Sequence, residues 1–425
     1  MASAGSAIGN PTVSVAMLGA RMHYAVPRVL NDAGMLKRFF TDSYIGNKPW
    51  LRWALQRAPP NLRPGWVKRW LGRQHHGLPP NKIVSFDALG IWYAMARQRA
   101  AKRTRIDEVA ARAAVAFNRQ VIAAGLDGTE VLWGYNTASL EAFRFAHEAG
   151  LRCMLEQTLL PIRLEFELLA FEEKRWPGWS RASLADVPSA LAEREEAEWR
   201  LADRIAVGSN FVREGLVRLG VPQSKIVVIP YGVDPTQFPV TSAKKASDGS
   251  ALKVLFVGQV GLRKGVPDLL AAVTRIPAGA IDVRIAGPIT IKPTHLQGLP
   301  FNVLLLGSVP RSEVIRLFAW ADVLVLPSIA EGSATVTYEA LMSGCPVITT
   351  PNAGSIVRDN VDGFIVPIRD PAALAAALMS YVRDRKLLAA HRQAATASRE
   401  RVGIDRYGAE VVRAVRELMP PATPC

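Results

Sequence analysis

Residues 253–265 read KVLFVGQVGLRKG. Lys253–Val257 is a short β-rich run, Gly258, Gly261 and Gly265 mark a turn, and the sequence beyond opens a helix. A strand, a glycine-rich turn and a helix make one unit of a parallel sheet covered by helices. The pattern returns at Val323–Leu326, followed by PSIAEGSATVTYEALMSG at 327–344, and further strands are expected at Ile281–Ala286, Val303–Leu306 and Val347–Thr350. An earlier series is expected at Val13–Leu18, Lys37–Thr41, Ile83–Ser85, Glu130–Gly134, Leu151–Leu155, Arg204–Val207 and Lys225–Ile229, with helices between. Ser139–Ala149 is such a helix, apolar at Leu140, Phe143 and Ala146 and stopped by Gly150. The fold class is therefore α/β, with two doubly wound halves facing across a cleft. Residues 1–240 form the first domain, 241–252 a linker containing the polar SAKKASDGS, and 253–400 the second domain. A terminal helix within 401–425 packs back on the first domain.

With 425 residues, each half can bury its own core. The 49% hydrophobic and 21% charged composition excludes a disordered or collagen-like chain. No apolar run reaches the roughly 18–20 residues of a membrane-spanning helix, and the first residues do not read as a secretory signal. The expected location is cytoplasmic. Cys153, Cys345 and Cys425 are far apart and in no metal-binding spacing, so reduced structural thiols and no metal site are expected.

Ligands of doubly wound sheets bind beyond the carboxyl ends of the strands, so chemistry is sought in the loops there. In the turn Gly258–Gly265, backbone amides, a helix end, Arg263 and Lys264 suit a diphosphate; the plainer alternative is a glycine turn with two solvated cations. In the 327–344 stretch, Ser333 to Val336 should present the amides of a helix N-terminus, with Glu331 in the loop before it and Glu339 one turn inside. Two carboxylates at different depths suit the hydroxyls of a ribose and a hexose, or else they are structural.

Taken in order, VLFVGQVGLRKG, the run VLVLPSIAEGSATVTYEALMSGCPVITT, PNAGSIVRDNVDGFIVP and the earlier VGSNFVREGLVRLGVPQSKIVVIPYGVD resemble the retaining, nucleotide-sugar-dependent glycosyltransferases of family four, the group 1 glycosyltransferases. That resemblance implies two Rossmann-like domains in the GT-B arrangement. It also implies transfer of a sugar from a nucleoside-diphosphate donor to a glycan or lipid-linked acceptor with retention, and no metal or other cofactor. No Asp-x-Asp motif occurs in the chain. By the same resemblance Arg263 and Lys264 neutralise the diphosphate, and Glu331 acts with Gly332 and the amides of Ser333, Ala334 and Thr335 on the donor sugar. Glu339 holds the ribose. Gly258, Gly287, Ser328, Val309 and Pro310 line the donor, and the turn Gly19-Ala20-Arg21 approaches the diphosphate from the other domain. Two positions depart from the pattern. Ala334 stands where a second glycine is common, and positive φ is harder for it. The strand end where relatives carry a histidine reads Leu155-Glu156-Gln157, leaving Glu156 or His23 as candidate acceptor-side residues.

The net charge of +15 is concentrated: Arg21 to Arg119 carries 19 Lys/Arg against five acids. Five of the ten tryptophans fall between Trp50 and Trp92. If Gly65–Gly72 is helical, Trp66, Val67, Trp70 and Leu71 share a face turned away from Lys68 and Arg69, an interfacial pattern, and Trp50–Arg57 has a similar mixture. Residues 48–119 thus suit an anionic membrane surface carrying a lipid-linked acceptor, or pack on the first sheet with solvated arginines. No nucleic-acid partner is expected. Arg163 to Arg200 reverses the charge, with helices around a WPGW turn (Trp176–Trp179) on the acceptor side and an acidic face expected to be solvated. The competing functional classes are an epimerase or hydrolase of the same fold, and a non-catalytic sugar-nucleotide or polyanion-binding protein.

Overall fold

The computed structural model describes residues 10–419 except 58, 60–62, 64–66, 68–69, 101–102, 181–186, 188 and 239–249. Most of the expected linker, half of the Gly65–Gly72 segment and Cys425 lie outside the described residues.

Strands β1 (Val13–Met17), β2 (Leu36–Thr41), β3 (Ile83–Ser85), β4 (Val131–Tyr135), β5 (Arg152–Gln157), β6 (Arg204–Val207) and β7 (Ile226–Val228) form a sheet in the order β3-β2-β1-β4-β5-β6-β7. Strands β8 (Leu252–Val257), β9 (Ile281–Ala286), β10 (Val303–Gly307), β11 (Val323–Leu326), β12 (Val347–Thr349) and β13 (Gly363–Ile365) form the second, in the order β10-β9-β8-β11-β12-β13. All neighbours pair in parallel. The first sheet is accompanied by α1 (Ala25–Asp32), α2 (Pro49–Gln56), α3 (Asp87–Arg99), α4 (Arg103–Ala123), α5 (Leu140–Glu148), α6 (Ile162–Arg175), α7 (Ser189–Leu201) and α8 (Asn210–Arg218). With the second come α9 (Val266–Val273), α10 (Arg311–Trp320), α11 (Thr335–Met342), α12 (Pro371–Arg383) and α13 (Arg385–Ala397), and α14 (Ile404–Arg416) closes the described chain.

β1, β4 and β11 are buried along their whole length, as strands covered by helices on both faces must be. Each sheet reverses its order once, between β1 and β4 and between β8 and β11, and there a crevice opens beyond the strand ends. β13 has no counterpart among the expected strands. It is three residues long and begins at Gly363, where any Cβ would lie 1.8 Å from the Val347 carbonyl oxygen.

The last helix returns to the first sheet. Gly408 of α14 lies against Val29 of α1, Arg416 donates to Asn10, and Val233 and Ile404 exchange backbone bonds with the 402–403 turn and Val233. Nearer the cleft, Leu169 of α6 packs on Leu262, Arg175 pairs with Asp268 at 2.7 Å, and Arg369 pairs with the buried Glu172.

The acidic stretch on α6 and α7 is solvated only in part: Glu167 and Glu193 are exposed, as expected, but three other glutamates are not. Glu172, Glu195 and Glu198 are buried because each has donors waiting for it. Glu198 accepts the amides of Thr137, Ser139 and Leu140 at 2.6, 2.8 and 3.1 Å, a carboxylate cap on the N-terminus of α5. Glu195 accepts from the Asn136 and Gln157 side chains and the Ile162 amide. Together they tie down the loops after β4 and β5, which face the second sheet.

Candidate active site

The loop after β8 is glycine-rich because backbone meets backbone there. Gly265 has φ +64°, and a Cβ on it would lie 1.9 Å from the Pro327 carbonyl oxygen, so the loops after β8 and β11 are in direct contact. A Cβ on Gly287 (φ +148°) would lie 1.8 Å from the Gly258 carbonyl oxygen, so these two loops are in contact as well. This packing brings Lys264 Nζ to 2.8 Å and Arg263 Nη1 to 3.1 Å from the same oxygen, Oε1 of Glu331. Lys264 and Glu331 are buried and Arg263 is partly open. Burial lowers the pKa of the Lys264 ammonium, and the Glu331 carboxylate opposes it. Two cations against one carboxylate leave the cluster with one positive charge for an anion to meet.

One turn into α11, Glu339 is buried and pairs with Arg311 Nη1 at 2.6 Å. Arg311 begins α10 directly after Val309 and Pro310, and its guanidinium stands 5.0 Å from the Phe238 ring centre. Burial raises the Glu339 pKa, and Arg311 counters it. Sequence reasoning missed Arg311; its signal was a cation at the first position of the helix after β10, next to the two residues assigned to the donor wall.

Several expected donor residues are closed in. Ser328 is fully buried, and its hydroxyl has no hydrogen-bond partner among the described residues. Gly332 faces the Thr158 carbonyl oxygen of the first sheet, 1.9 Å from a hypothetical Cβ, and its own carbonyl accepts from Ser209. Ser333 Oγ bonds Tyr338 Oη at 2.7 Å and the Gly354 carbonyl at 3.1 Å. The Ala334 amide donates to the Ala353 carbonyl, so it is already committed. Ala334 itself has φ −71°, an ordinary extended value, so the lack of a glycine costs nothing there. Thr335 begins α11.

Across the cleft, Gly19 (φ +100°) gives its amide to Asp42 Oδ1 at 2.9 Å, and Arg73 pairs with the same oxygen at 2.6 Å. The Gly19 amide is therefore bonded to Asp42, just beyond β2. Arg21 is the cation of that turn, donating to Thr158 Oγ1 at 3.0 Å. Met22, His23 and Tyr24 follow with φ of +43°, +50° and +61°, three consecutive left-handed residues of the kind that persist where the surroundings hold them. His23 keeps an exposed edge while part of its ring is packed, and its imidazole pKa lies below its ordinary value through that partial burial first and then the charges of Arg311 and Arg28. Glu156, at the end of β5, is buried: Trp133 Nε1 donates to it at 3.3 Å, and the Tyr135 and Tyr231 hydroxyls face it. Burial lifts its pKa to about 7 against the pull of Arg21. The trio His147, Cys153 and Asp203, with ligand atoms within 4.8 Å, lies at the opposite ends of β5 and β6 from the cleft.

Residues 251–384 match the family described as Glycosyl transferases group 1. Over that stretch, about a third of its length, the chain is similar to the group 1 glycosyltransferases. It is 29% identical over 248 residues to D-inositol 3-phosphate glycosyltransferase of Xylanimonas cellulosilytica, an alignment spanning 53% of this chain and 59% of that one. It is 28% identical over 305 residues to glycogen synthase of Mycobacterium tuberculosis, spanning 68% and 71%. Thus the chain spans about three fifths of the first relative and somewhat more of the second. Among solved structures, Anabaena HepE in complex with UDP and glucose superposes with TM-score 0.63 at 14% identity, covering 96% of this chain and all of that one. Sucrose-phosphate synthase of Thermosynechococcus elongatus gives 0.66 at 17%, covering 96% and 99%. These two likenesses establish the GT-B fold. The matched stretch contains Arg263, Lys264, Arg311, Glu331 and Glu339; Arg21, His23 and Glu156 lie outside it.

Proposed function

We propose that the protein transfers a sugar from a nucleoside-diphosphate sugar to a glycan or lipid-linked acceptor, with retention at the anomeric carbon and without a metal. The carrying observation is the convergence of Arg263 and Lys264 on Glu331 at the order reversal of the second sheet. In this reading the diphosphate takes the two cations, which stabilise the negative charge that grows as the sugar departs. Glu331, released from part of its ion pairing, accepts sugar hydroxyls, and Glu339 accepts those of the ribose. Arg21 meets the diphosphate from the first sheet. The HepE complex with UDP makes uridine nucleotides the first donors to try; retention rests on the family resemblance.

A lipid-linked acceptor is supported by one surface. Trp50 and Trp53 on α2 are 70% and 59% exposed, and Ile91, Trp92 and Met95 on α3 are 50%, 43% and 45% exposed. Lys48 and Asp87, at the starts of these helices, pair at 2.7 Å and hold them together. Of the face expected at Gly65–Gly72, Val67 is buried and Trp70 and Leu71 are partly buried, while Trp66 lies outside the described residues. No helix among the described residues is long and apolar enough to cross a membrane.

The test is a thermal-shift screen against UDP, GDP, ADP, CDP and dTDP and their sugars in EDTA, followed by NMR of the product anomer. A ligand at a hundred times its dissociation constant adds about 2.7 kcal/mol. A selective shift in EDTA and a retained anomer support the reading. Free sugar alone as product, with every acceptor preparation tried, replaces it with a hydrolase; no shift with any nucleotide sinks it.

A further inference from the structure

Glu339 is a buried carboxylate whose paired side chain is Arg311, and the two come from different strand ends: Arg311 from the loop after β10, Glu339 from the helix after β11. Arg311 is 40% exposed and its guanidinium lies beside the Phe238 ring, so one nitrogen holds Glu339 while the rest of the fork opens toward the cleft. A carboxylate accepts hydrogen bonds from a ribose diol strongly only when ionised, and burial works against ionisation. We propose that Arg311 is a positioning residue of the nucleotide seat, holding the Glu339 carboxylate charged and aimed for the ribose hydroxyls. This rests on the donor reading above and adds to it a residue acting through Glu339.

Removing the guanidinium leaves burial unopposed and moves the Glu339 pKa further up. The acceptor form exists above that value, so an Arg311→Met protein loses nucleotide affinity as pH falls, over a range where the wild type does not. Calorimetric titration with UDP, or whichever diphosphate binds the wild type, at pH 6 and pH 8 reads this directly. The terminal phosphate of the ligand titrates alike with every variant, so the quantity that matters is the pH 6 to pH 8 affinity ratio relative to wild type. A shift of one pKa unit gives a relative loss of up to about tenfold for Arg311→Met, little for Arg311→Lys, and none for the double variant Arg311→Met/Glu339→Gln. His23, on the loop after β1, feels the charge of Arg311, so an imidazole stands near this pair. Repeating the comparison in a His23→Gln background keeps the imidazole from supplying the effect.

A loss independent of pH, or the same pH dependence in the double variant, overturns the positioning role while leaving the donor reading standing. If the wild type binds no nucleoside diphosphate at either pH, both readings fall together. Circular dichroism melts accompany each variant, and Arg311→Lys carries the test if Arg311→Met does not fold: affinity for that variant tenfold below wild type and flat with pH also refutes the role.

Discussion

The two rows of strand ends that meet at the cleft are built differently. On the second sheet the polar groups form ion pairs across loops: Lys264 and Arg263 with Glu331, Arg311 with Glu339. On the first sheet the carboxylates are sealed in: Asp42 holds Gly19 and Arg73, Glu198 caps α5, Glu195 ties three segments, and Glu156 sits among aromatic rings. An ion pair that borders a crevice can exchange one partner for a ligand. A buried carboxylate with all its donors in place cannot do so without unfolding its surroundings. On the proposed reading the second sheet is the reacting wall and the first a rigid one, with Arg21 and His23 as the groups it offers to the cleft.

The sharpest way to break this contrast is on the reacting wall. Lys264→Ala and Glu331→Ala are expected to cut release of nucleoside diphosphate from the donor sugar by about a thousandfold, the scale of a lost electrostatic contact in a transition state, in proteins that still fold but melt lower, because each loses one partner of a buried pair. Wild-type turnover in either variant removes the cluster from catalysis. On the rigid wall, Glu156→Gln should change stability and its pH dependence. The folded protein keeps the Glu156 proton up to about pH 7, whereas the unfolded chain loses it near the ordinary 4.5. Native Glu156 thus binds more protons than the unfolded group between those values, and stability falls as pH rises through them. Glutamine has no proton to lose, so the variant should match wild type near pH 4.5 and exceed it by about 2–3 kcal/mol at pH 8. Denaturant melts at the two pH values decide it; an advantage that does not grow with pH shows that Glu156 is ionised in the fold.

The same contrast explains what could be read beforehand. The alternation of strands and helices and the C-terminal motif residues are local signals, carried by contiguous sequence, and Arg263, Lys264 and Glu331 do come together. The burial of Glu172, Glu195 and Glu198 is not local. Their spacing on α6 and α7 looks like any charged helix, and only the loops after β4 and β5, some 40–60 residues earlier for Glu195 and Glu198, supply the donors. β13 escaped for a related reason, because a three-residue strand starting at glycine has no periodicity and exists through its pairing with β12. At Ala334 the motif suggested a demanding backbone, and the actual φ of −71° shows that the turn is made elsewhere.

A milder effect is expected at the nucleotide end. Glu339→Ala removes charged hydrogen bonds worth about 1.5–3 kcal/mol, so diphosphate affinity should drop by about ten- to a hundredfold in calorimetry while the sugar chemistry of bound donor is less affected. Affinity equal to wild type takes Glu339 out of the ribose role and leaves it as a structural partner of Arg311.

The smallest effect tests whether the first sheet offers anything beyond a wall. Trp50 and Trp53 are three residues apart on α2 and so share a face, and the Arg57 guanidinium lies 4.0 Å from the Trp53 ring centre. Tryptophans with cations at their rim suit the headgroup boundary of an anionic bilayer, where the rings bury apolar area and the arginines meet phosphate. Salt should weaken the second contribution and spare the first. Co-sedimentation with anionic vesicles is therefore expected to fall by about tenfold in a Trp50→Ser/Trp53→Ser protein, with the remainder lost at high salt, while the fold and nucleotide binding stay as they are. Undiminished sedimentation of the double variant means the helices α2 and α3 are not the docking face. The charge concentrated between Arg21 and Arg119 then acts alone, and the exposed rings await a protein partner instead of a lipid one.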